Sequence, residues 1–363
     1  MLIVTAGPNA YEGPDAVQLL TPEGELVSHP GYSLNVADED LRNTYRDLCL
    51  VRRLDIEATA LQRQGELGLW APCLGQEAAQ IGAARATRPT DMIFPTYREH
   101  GMAWMRGIDP VDLLGLFRGT TNGGWNPNDK NFGLYTIVIG NQALHAVGWA
   151  MAAQRMSGHE ATLVCFGDGA SSQGDVNEAF IFASVYNAPV VFFLQNNQWA
   201  ISEPSERQTR IPLYQRARGF GFPGVRVDGN DVLAVQAVVT RALEAAREGQ
   251  GPVLVEAFTY RMGAHTTSDD PTRYRLSAET EKWRLRDPIE RVRAYLLRNG
   301  KADKAFIDEV ENEAEALAVR IRSAVRELPV PDPLTMFDNV YSEPHTLLQE
   351  ERENMQNYLE SFQ

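Results

Sequence analysis

The sequence predicts an α/β protein with a mainly parallel sheet and helices on both faces. Three observations carry that expectation. Residues 162–166 (TLVCF) and 189–195 (PVVFFLQ) are short apolar runs without alternation, as expected of strands buried on both sides. Between them, Val176, Ala179, Phe180 and Ala183 recur at helical spacing. The strand–helix alternation then continues through residues 90–260. Crossovers of that kind join parallel strands whose carboxyl ends share one edge of the sheet.

Residues 1–36 are rich in Gly, Pro and turn signals (GPNAYEGPD, TPEGE, HPGYS) and predict an irregular arm with one short strand pair. A long helix follows over 37–65. Leu41, Tyr45, Leu48, Val51, Leu54, Ala58 and Leu61 form one apolar stripe, and Gly65 and Gly68 end it. In 71–86 (APCLGQEAAQIGAARA) a Gly-Gln-Glu turn leads into an Ala-rich helix suited to close packing or a subunit contact. In 91–101 (DMIFPTYREHG) a strand end delivers Tyr97, Arg98, Glu99 and His100; an arginine fork there suits phosphate oxygens. Residues 118–135 are Gly- and Asn-rich without periodicity and predict a long active-site or partner-facing loop. The β-branched run 136–139 meets Gly140, Asn141 and Gln142 and then a helix through 145–156.

Beyond the central unit, 203–224 reads as a polar loop with a partial helix, and 224–232 as a strand and an Asp-Gly turn. A helix over 232–247, a buried-type strand over 252–259 and a polar loop with one histidine over 260–275 complete the α/β part. The helices of 278–327 are polar on most faces, which predicts a solvated or partner-facing role. The chain divides into an N-terminal arm (1–36), an α/β domain with its flanking helices (37–327) and a C-terminal helical extension (328–363).

Composition narrows the function. A chain of 363 residues with 44% hydrophobic content buries a sizeable core. No run approaches the 18 apolar residues of a membrane span, and the N-terminus has no basic region ahead of its short apolar start, so no signal peptide is expected. Cys49, Cys73 and Cys165 are odd in number and far apart, as for reduced thiols in a cytoplasm. A net charge of −14 argues against nucleic-acid binding.

Four strand ends point at one edge of the sheet: Tyr97–Arg98, Ile139–Gly140, Asp168 and Asn197, with His265 in the loop after a fifth. Asp168 sits between Gly167 and Gly169, which permit a tight turn and close approach of a ligand. The helix start that follows favours an anion, yet a carboxylate repels a bare phosphate. A divalent cation resolves the conflict. Asn197, twenty-nine residues on, adds a neutral oxygen, and the Trp199 carbonyl another; with phosphate oxygens and water these approach the octahedral set that Mg²⁺ prefers. The dinucleotide fingerprint lacks its third glycine here and no Walker lysine follows, which counts against a nicotinamide-dependent dehydrogenase. Intact Asp168, Asn197, Arg98 and His265 count against a non-catalytic scaffold.

GDGASSQGD…QNNQWAIS resembles the thiamin diphosphate motif, Gly-Asp-Gly ending about thirty residues later in Asn-Asn. With LQRQGELGLWAPCLGQEAAQIG, FPTYREHG, VRVDGNDVLAV and YRMGAHTTSDDPTRYR, residues 40–340 resemble the alpha subunit of the decarboxylating first component of 2-oxo acid dehydrogenase complexes. The resemblance implies a thiamin diphosphate-binding fold with thiamin diphosphate and Mg²⁺ as cofactors. It implies that Asp168, Asn197 and the Trp199 carbonyl hold the metal, with Trp199 where relatives usually carry Tyr or Phe. Tyr97 and Arg98 would contact the diphosphate, and Gly169 and Ala170 would offer backbone N–H groups. Ile139 would hold the cofactor bent, with Ile137 near its aminopyrimidine; Gly167, Ala200 and Ile201 complete the cofactor site. His265, over the diphosphate and the reacting centre, is the implied catalytic residue, for proton transfer or charge stabilisation during acyl transfer. Thr266 stands where animal relatives carry the first regulatory phosphoserine.

The implied reaction is oxidative decarboxylation of a small 2-oxo acid, with the acyl group passed to a lipoyl domain of the complex's dihydrolipoyl acyltransferase. The activating glutamate of this family lies on a separate beta subunit, which implies a heterotetramer of two alpha and two beta chains. RQGELGLWAP, TIVIGNQ and SDDPTRYR look more like the pyruvate form of bacterial relatives; the branched-chain (2-oxoisovalerate) form is the alternative. Where that family often has a Gly-Gly-Ser-Met pattern before the Ile139 segment, this chain reads NPNDKNFGLY.

Overall fold

The computed structural model describes residues 16–362; the arm's first fifteen residues lie outside them. Five parallel strands form the central sheet: β1 (Met92–Phe94), β2 (Thr162–Gly167), β3 (Val190–Asn196), β6 (Gly224–Asp228) and β7 (Val253–Phe258). A two-residue hairpin, β4 (Trp199–Ala200) with β5 (Glu203–Pro204), lies outside it. The sheet order is β1-β2-β3-β7-β6. Side chains alternate between two cores, as the pleat demands. Leu163, Cys165, Val191 and Phe193 face a core shared with helices Asp38–Arg63, Glu77–Ala86 and Val232–Arg247. Val164, Phe166, Phe192 and Leu194 face a second core with helices Asn141–Arg155 and Gly174–Tyr186. Both faces are therefore covered, which is why the strands read as continuous apolar runs.

The close helix packing expected of the Ala-rich segment is present. A Cβ on Gly82 would meet the Val232 carbonyl at 2.7 Å, so the helix Glu77–Ala86 lies almost backbone to backbone against Val232–Arg247.

Within the described part of the arm, single antiparallel bridges, Leu20 to Leu26 and His29 to Tyr32, stand in place of the strand pair, and one bridge, Val17 to Val227, joins the arm to the sheet. Asp231 clamps it. Its Oδ1 caps helix Val232–Arg247 through the N–H groups of Leu233 and Ala234 (3.0 and 3.1 Å), and its Oδ2 accepts from Leu19 and Leu20 (2.7 and 2.6 Å). Asp231→Asn, which sets an NH₂ group against two backbone N–H groups, is expected to cost about 2–4 kcal/mol, read as a lower urea midpoint at unchanged slope.

Two expectations are corrected. Residues 136–139 form no strand. Phe132 and Gly133 pair with Ile93 and use up the free edge of the three-residue β1, so the β-branched run finds no partner to express its propensity. Ile137 and Val138 are left 67% and 68% exposed. The helices Pro288–Arg298 and Lys304–Arg326 are polar on their outer faces as expected, but they are not merely solvated: Ile289, Val292, Leu296, Ile307, Val310, Ile321 and Val325 are buried in the core shared with helix Asp38–Arg63. Their many charges hid a narrow apolar stripe. Helix Thr346–Glu360 buries no residue. Among the described residues no helix is long and apolar enough to cross a membrane, and all three cysteines are free.

Candidate active site

Strand register makes the site. Gly167 of β2 pairs with Gln195 of β3, and Asn196 of β3 with Phe258 of β7, so three parallel strands stop on one line. The residues just past them border a cavity of about 460 Å³. Tyr97, Arg98, Ile137, Ile139, Gly167, Asp168, Gly169, Ala170, Asn197, Trp199, Ala200, Ile201 and His265 all line it, with Thr266 beside them. The long segment 118–135 does not. Its Trp125, Phe132 and Tyr135 pack on one another, and Tyr135 on His100 and Phe117; aromatic burial consumed the loop expected at the site.

One side of the cavity presents oxygen donors. Asp168 is 2% exposed and accepts only from neutral groups, Gln208 Nε2 at 2.7 Å and Ser205 Oγ at 3.2 Å. Burial pushes its carboxyl up to about 6, against the pull of those two bonds. No cationic side chain lies within ion-pair distance of it among the described residues. Asn197 presents Oδ1, which accepts from the Trp199 N–H at 3.2 Å. The Trp199 carbonyl already takes Arg261 Nη1 on one lone pair at 3.0 Å. Glycine is needed at 169, where a Cβ would stand 2.6 Å from that of Ala200. Among the described residues no three His, Cys, Asp or Glu side chains cluster as a metal site, so a cation bound here would have one carboxylate, one carboxamide and backbone oxygen to use, donors that suit Mg²⁺ better than Zn²⁺.

The other side is cationic through Arg98, with Arg261 beyond the cavity's lining. Arg98 and Arg261 are 6% and 0% exposed, and among the described residues neither pairs with a carboxylate. Arg98 donates to the carbonyls of Pro72 (2.6 Å) and His265 (2.9 Å); Arg261 donates to those of Trp199 and Ile201 and to the Tyr274 hydroxyl. Both guanidinium groups approach His265 Nδ1 at 3.3 Å. Guanidinium can only donate, so Nδ1 accepts and the ring proton sits on Nε2. Burial, then the charges of Arg98 and Arg261, push the imidazole down to about 4. His265 is therefore a neutral donor, braced by its backbone N–H, which donates to Asp269 Oδ2 (2.9 Å), and set edge-on to Tyr97. Buried cations without carboxylates are costly unless an anion joins them.

Several residues of the site escape sequence reasoning. Gln142 anchors Nε2 on the Cys165 carbonyl (2.8 Å), and Gln195 anchors its own on Glu99 (2.7 Å); the free Oε1 of each is buried and unpartnered on the cavity. Gln195 was reachable from register, as the last β3 residue facing the edge. Arg261 and Gln208 carry no local signal, because their roles arise only when distant loops meet.

The chain matches the family described as dehydrogenase E1 component over residues 45–332. It is 47% identical to the 3-methyl-2-oxobutanoate dehydrogenase subunit alpha of Mycobacterium tuberculosis, covering 94% of this chain and 93% of that one. It is 38% identical to the pyruvate dehydrogenase E1 component subunit alpha of Acholeplasma laidlawii (89% and 94% covered) and 36% identical to that of Staphylococcus epidermidis (93% and 92%).

Proposed function

The chain belongs to the dehydrogenase E1 component family and is the alpha subunit of a thiamin diphosphate-dependent 2-oxo acid dehydrogenase; on that premise we propose how its own cavity performs the reaction. Asp168, Asn197 and the second lone pair of the Trp199 carbonyl hold Mg²⁺. Arg98, Tyr97 and the N–H groups of Gly169 and Ala170 hold the diphosphate, and Ile137, Ile139, Gly167, Ala200 and Ile201 border the rest of the cofactor. The observation that carries this is the pairing of a buried carboxylate lacking a cation, Asp168, with a buried guanidinium lacking a carboxylate, Arg98, around one cavity. A magnesium diphosphate satisfies both at once.

Thiamin diphosphate, when bound, supplies the carbanion chemistry of decarboxylation. The protein's share is orientation and proton handling. Burial, with the charges of Arg98 and Arg261, keeps His265 neutral, and the two guanidinium groups hold its ring, so that its Nε2–H donates to charge developing on the reacting oxygen during acyl transfer. His265 is the catalytic residue of this chain. The beta subunit completes the site with a carboxylate for the cofactor's aminopyrimidine, in a heterotetramer of two alpha and two beta chains. The acyl acceptor is the lipoyl domain of a dihydrolipoyl acyltransferase. Three free thiols support a reducing, cytoplasmic setting.

Pyruvate is the substrate that the sequence stretches favour; the Mycobacterium relative's name favours the branched-chain 2-oxo acid. With the beta chain, thiamin diphosphate and Mg²⁺ present, kcat/KM for pyruvate and for 2-oxoisovalerate decides between them. Turnover of neither, with lipoyl domain as acceptor, would end the reading.

A further inference from the structure

Gln76 stands just ahead of helix Glu77–Ala86, 1% exposed, and borders the cavity with Asp168 and Asn197. Its two carboxamide ends differ. Oε1 accepts from Asn197 Nδ2 at 3.0 Å, while Nε2 is buried without a partner among the described residues. The sense of that bond is fixed from beyond Asn197, whose Oδ1 accepts the Trp199 N–H. Turning Asn197 over would set its NH₂ against that N–H, and turning Gln76 over would set NH₂ against NH₂. The backbone leaves Gln76 no freedom to drift. Its N–H binds the Cys73 carbonyl at 2.8 Å, and the Gly75 carbonyl takes the Thr259 hydroxyl at 3.0 Å. At Gly75, with φ +92°, a Cβ would stand 2.5 Å from the Tyr260 carbonyl. The turn is pressed against the end of β7.

A carboxamide can serve a cation with only one of its ends. We infer that Gln76 is a positioning residue for the metal: it holds the nitrogen end of Asn197 so that the oxygen end is offered to the cation. Its own free N–H₂ is turned into the cavity, where an anionic oxygen of the diphosphate is its acceptor. The inference rests on the metal site proposed above.

The test uses the assembled alpha–beta enzyme with thiamin diphosphate. Mn²⁺ stands in for Mg²⁺ and is followed by electron paramagnetic resonance, and cofactor affinity is measured by titration calorimetry. Gln76→Met is expected to weaken Mn²⁺ about tenfold, since it strands a buried N–H₂ that regains a partner only by turning over. Adding Asn197→Asp restores Mn²⁺ to within about threefold of the parent, because a carboxylate shows oxygen at both ends. Gln76→Glu keeps the acceptor for Asn197 and holds Mn²⁺ within about threefold, yet weakens thiamin diphosphate about tenfold by setting a carboxylate before the diphosphate. Unchanged Mn²⁺ affinity in Gln76→Met, or no recovery on adding Asn197→Asp, overturns the inference; the second result marks packing damage. Asn197→Ala separates the two levels. If it binds Mn²⁺ like the parent, the metal-site reading falls and takes this inference with it. If it loses Mn²⁺ while Gln76→Met keeps it, only the inference falls.

Discussion

Asp168→Asn is expected to lower turnover of the assembled enzyme by about 10³-fold, the scale on which several kcal/mol of metal-held charge stabilisation acts. The cofactor-free chain should nevertheless be no less stable than the parent. The reason is the sign of the carboxyl's shift. Burial raises Asp168 to about 6 from an ordinary 3.8, so in the absence of a cation its contribution to stability is whole below pH 3.8 and lost as pH rises through about 6. At pH 7.5 the ionised, buried group costs about 3 kcal/mol. Asparagine keeps an oxygen for Gln208 and Ser205 and carries no charge. Melting in EDTA should therefore give the variant an equal or higher midpoint at pH 7.5, with the difference fading below pH 6. Adding Mg²⁺ and thiamin diphosphate should raise the parent's midpoint and not the variant's. A variant that melts lower without metal would show that Asp168 is a structural cap, and one that still responds to cofactor would remove it from the metal site.

That carboxylate was readable from sequence because its logic is local. A glycine on each side, a strand before and a helix after fix where Asp168 goes, and Asn197 follows from one helix and one strand of intervening chain. The sheet's parallel character followed from the apolar runs of β2, β3 and β7. The opposite side of the site was legible only in part. Arg98 was found because it ends a strand. Arg261 was not, since nothing in YRMGAH distinguishes it from a surface arginine; it becomes a second buried cation only once the loop after β7 folds over the β4–β5 hairpin and meets the Trp199 and Ile201 carbonyls. Gln76 read as part of a packing turn for the same reason, its partner Asn197 lying over a hundred residues away. Residues 136–139 failed differently. Their composition reports β propensity, which a strand expresses only against an available edge, and Phe132–Gly133 had already taken it. Even so, Ile137 and Ile139 reach the cavity, because the chain must still pass the carboxyl end of β1 on its way to helix Asn141–Arg155.

His265→Ala should cut lipoyl-linked turnover by about 10²- to 10⁴-fold, the range of a positioned proton donor. Decarboxylation followed with an artificial electron acceptor should fall less, because acyl transfer is the step assigned to the imidazole. Equal losses in both assays would move its role to the earlier step, and full lipoyl-linked turnover would end its catalytic assignment. The two arginines make a second arm possible. Burial and the charges of Arg98 and Arg261 depress His265 to about 4. A depressed histidine contributes stability that is present above its ordinary 6.5 and lost as pH falls through about 4. Between pH 7 and pH 5 the cofactor-free parent should thus lose more thermal stability than His265→Ala, by an amount softened by the ring's partial exposure. Arg98→Met removes one of the two charges that face Nδ1 at 3.3 Å. The histidine's own titration, followed by its ring-proton resonance, should then move upward toward neutrality. If that resonance stayed where the parent's lies, burial alone would be setting the imidazole's state, and the Arg98 charge would matter only for an anion in the cavity it lines.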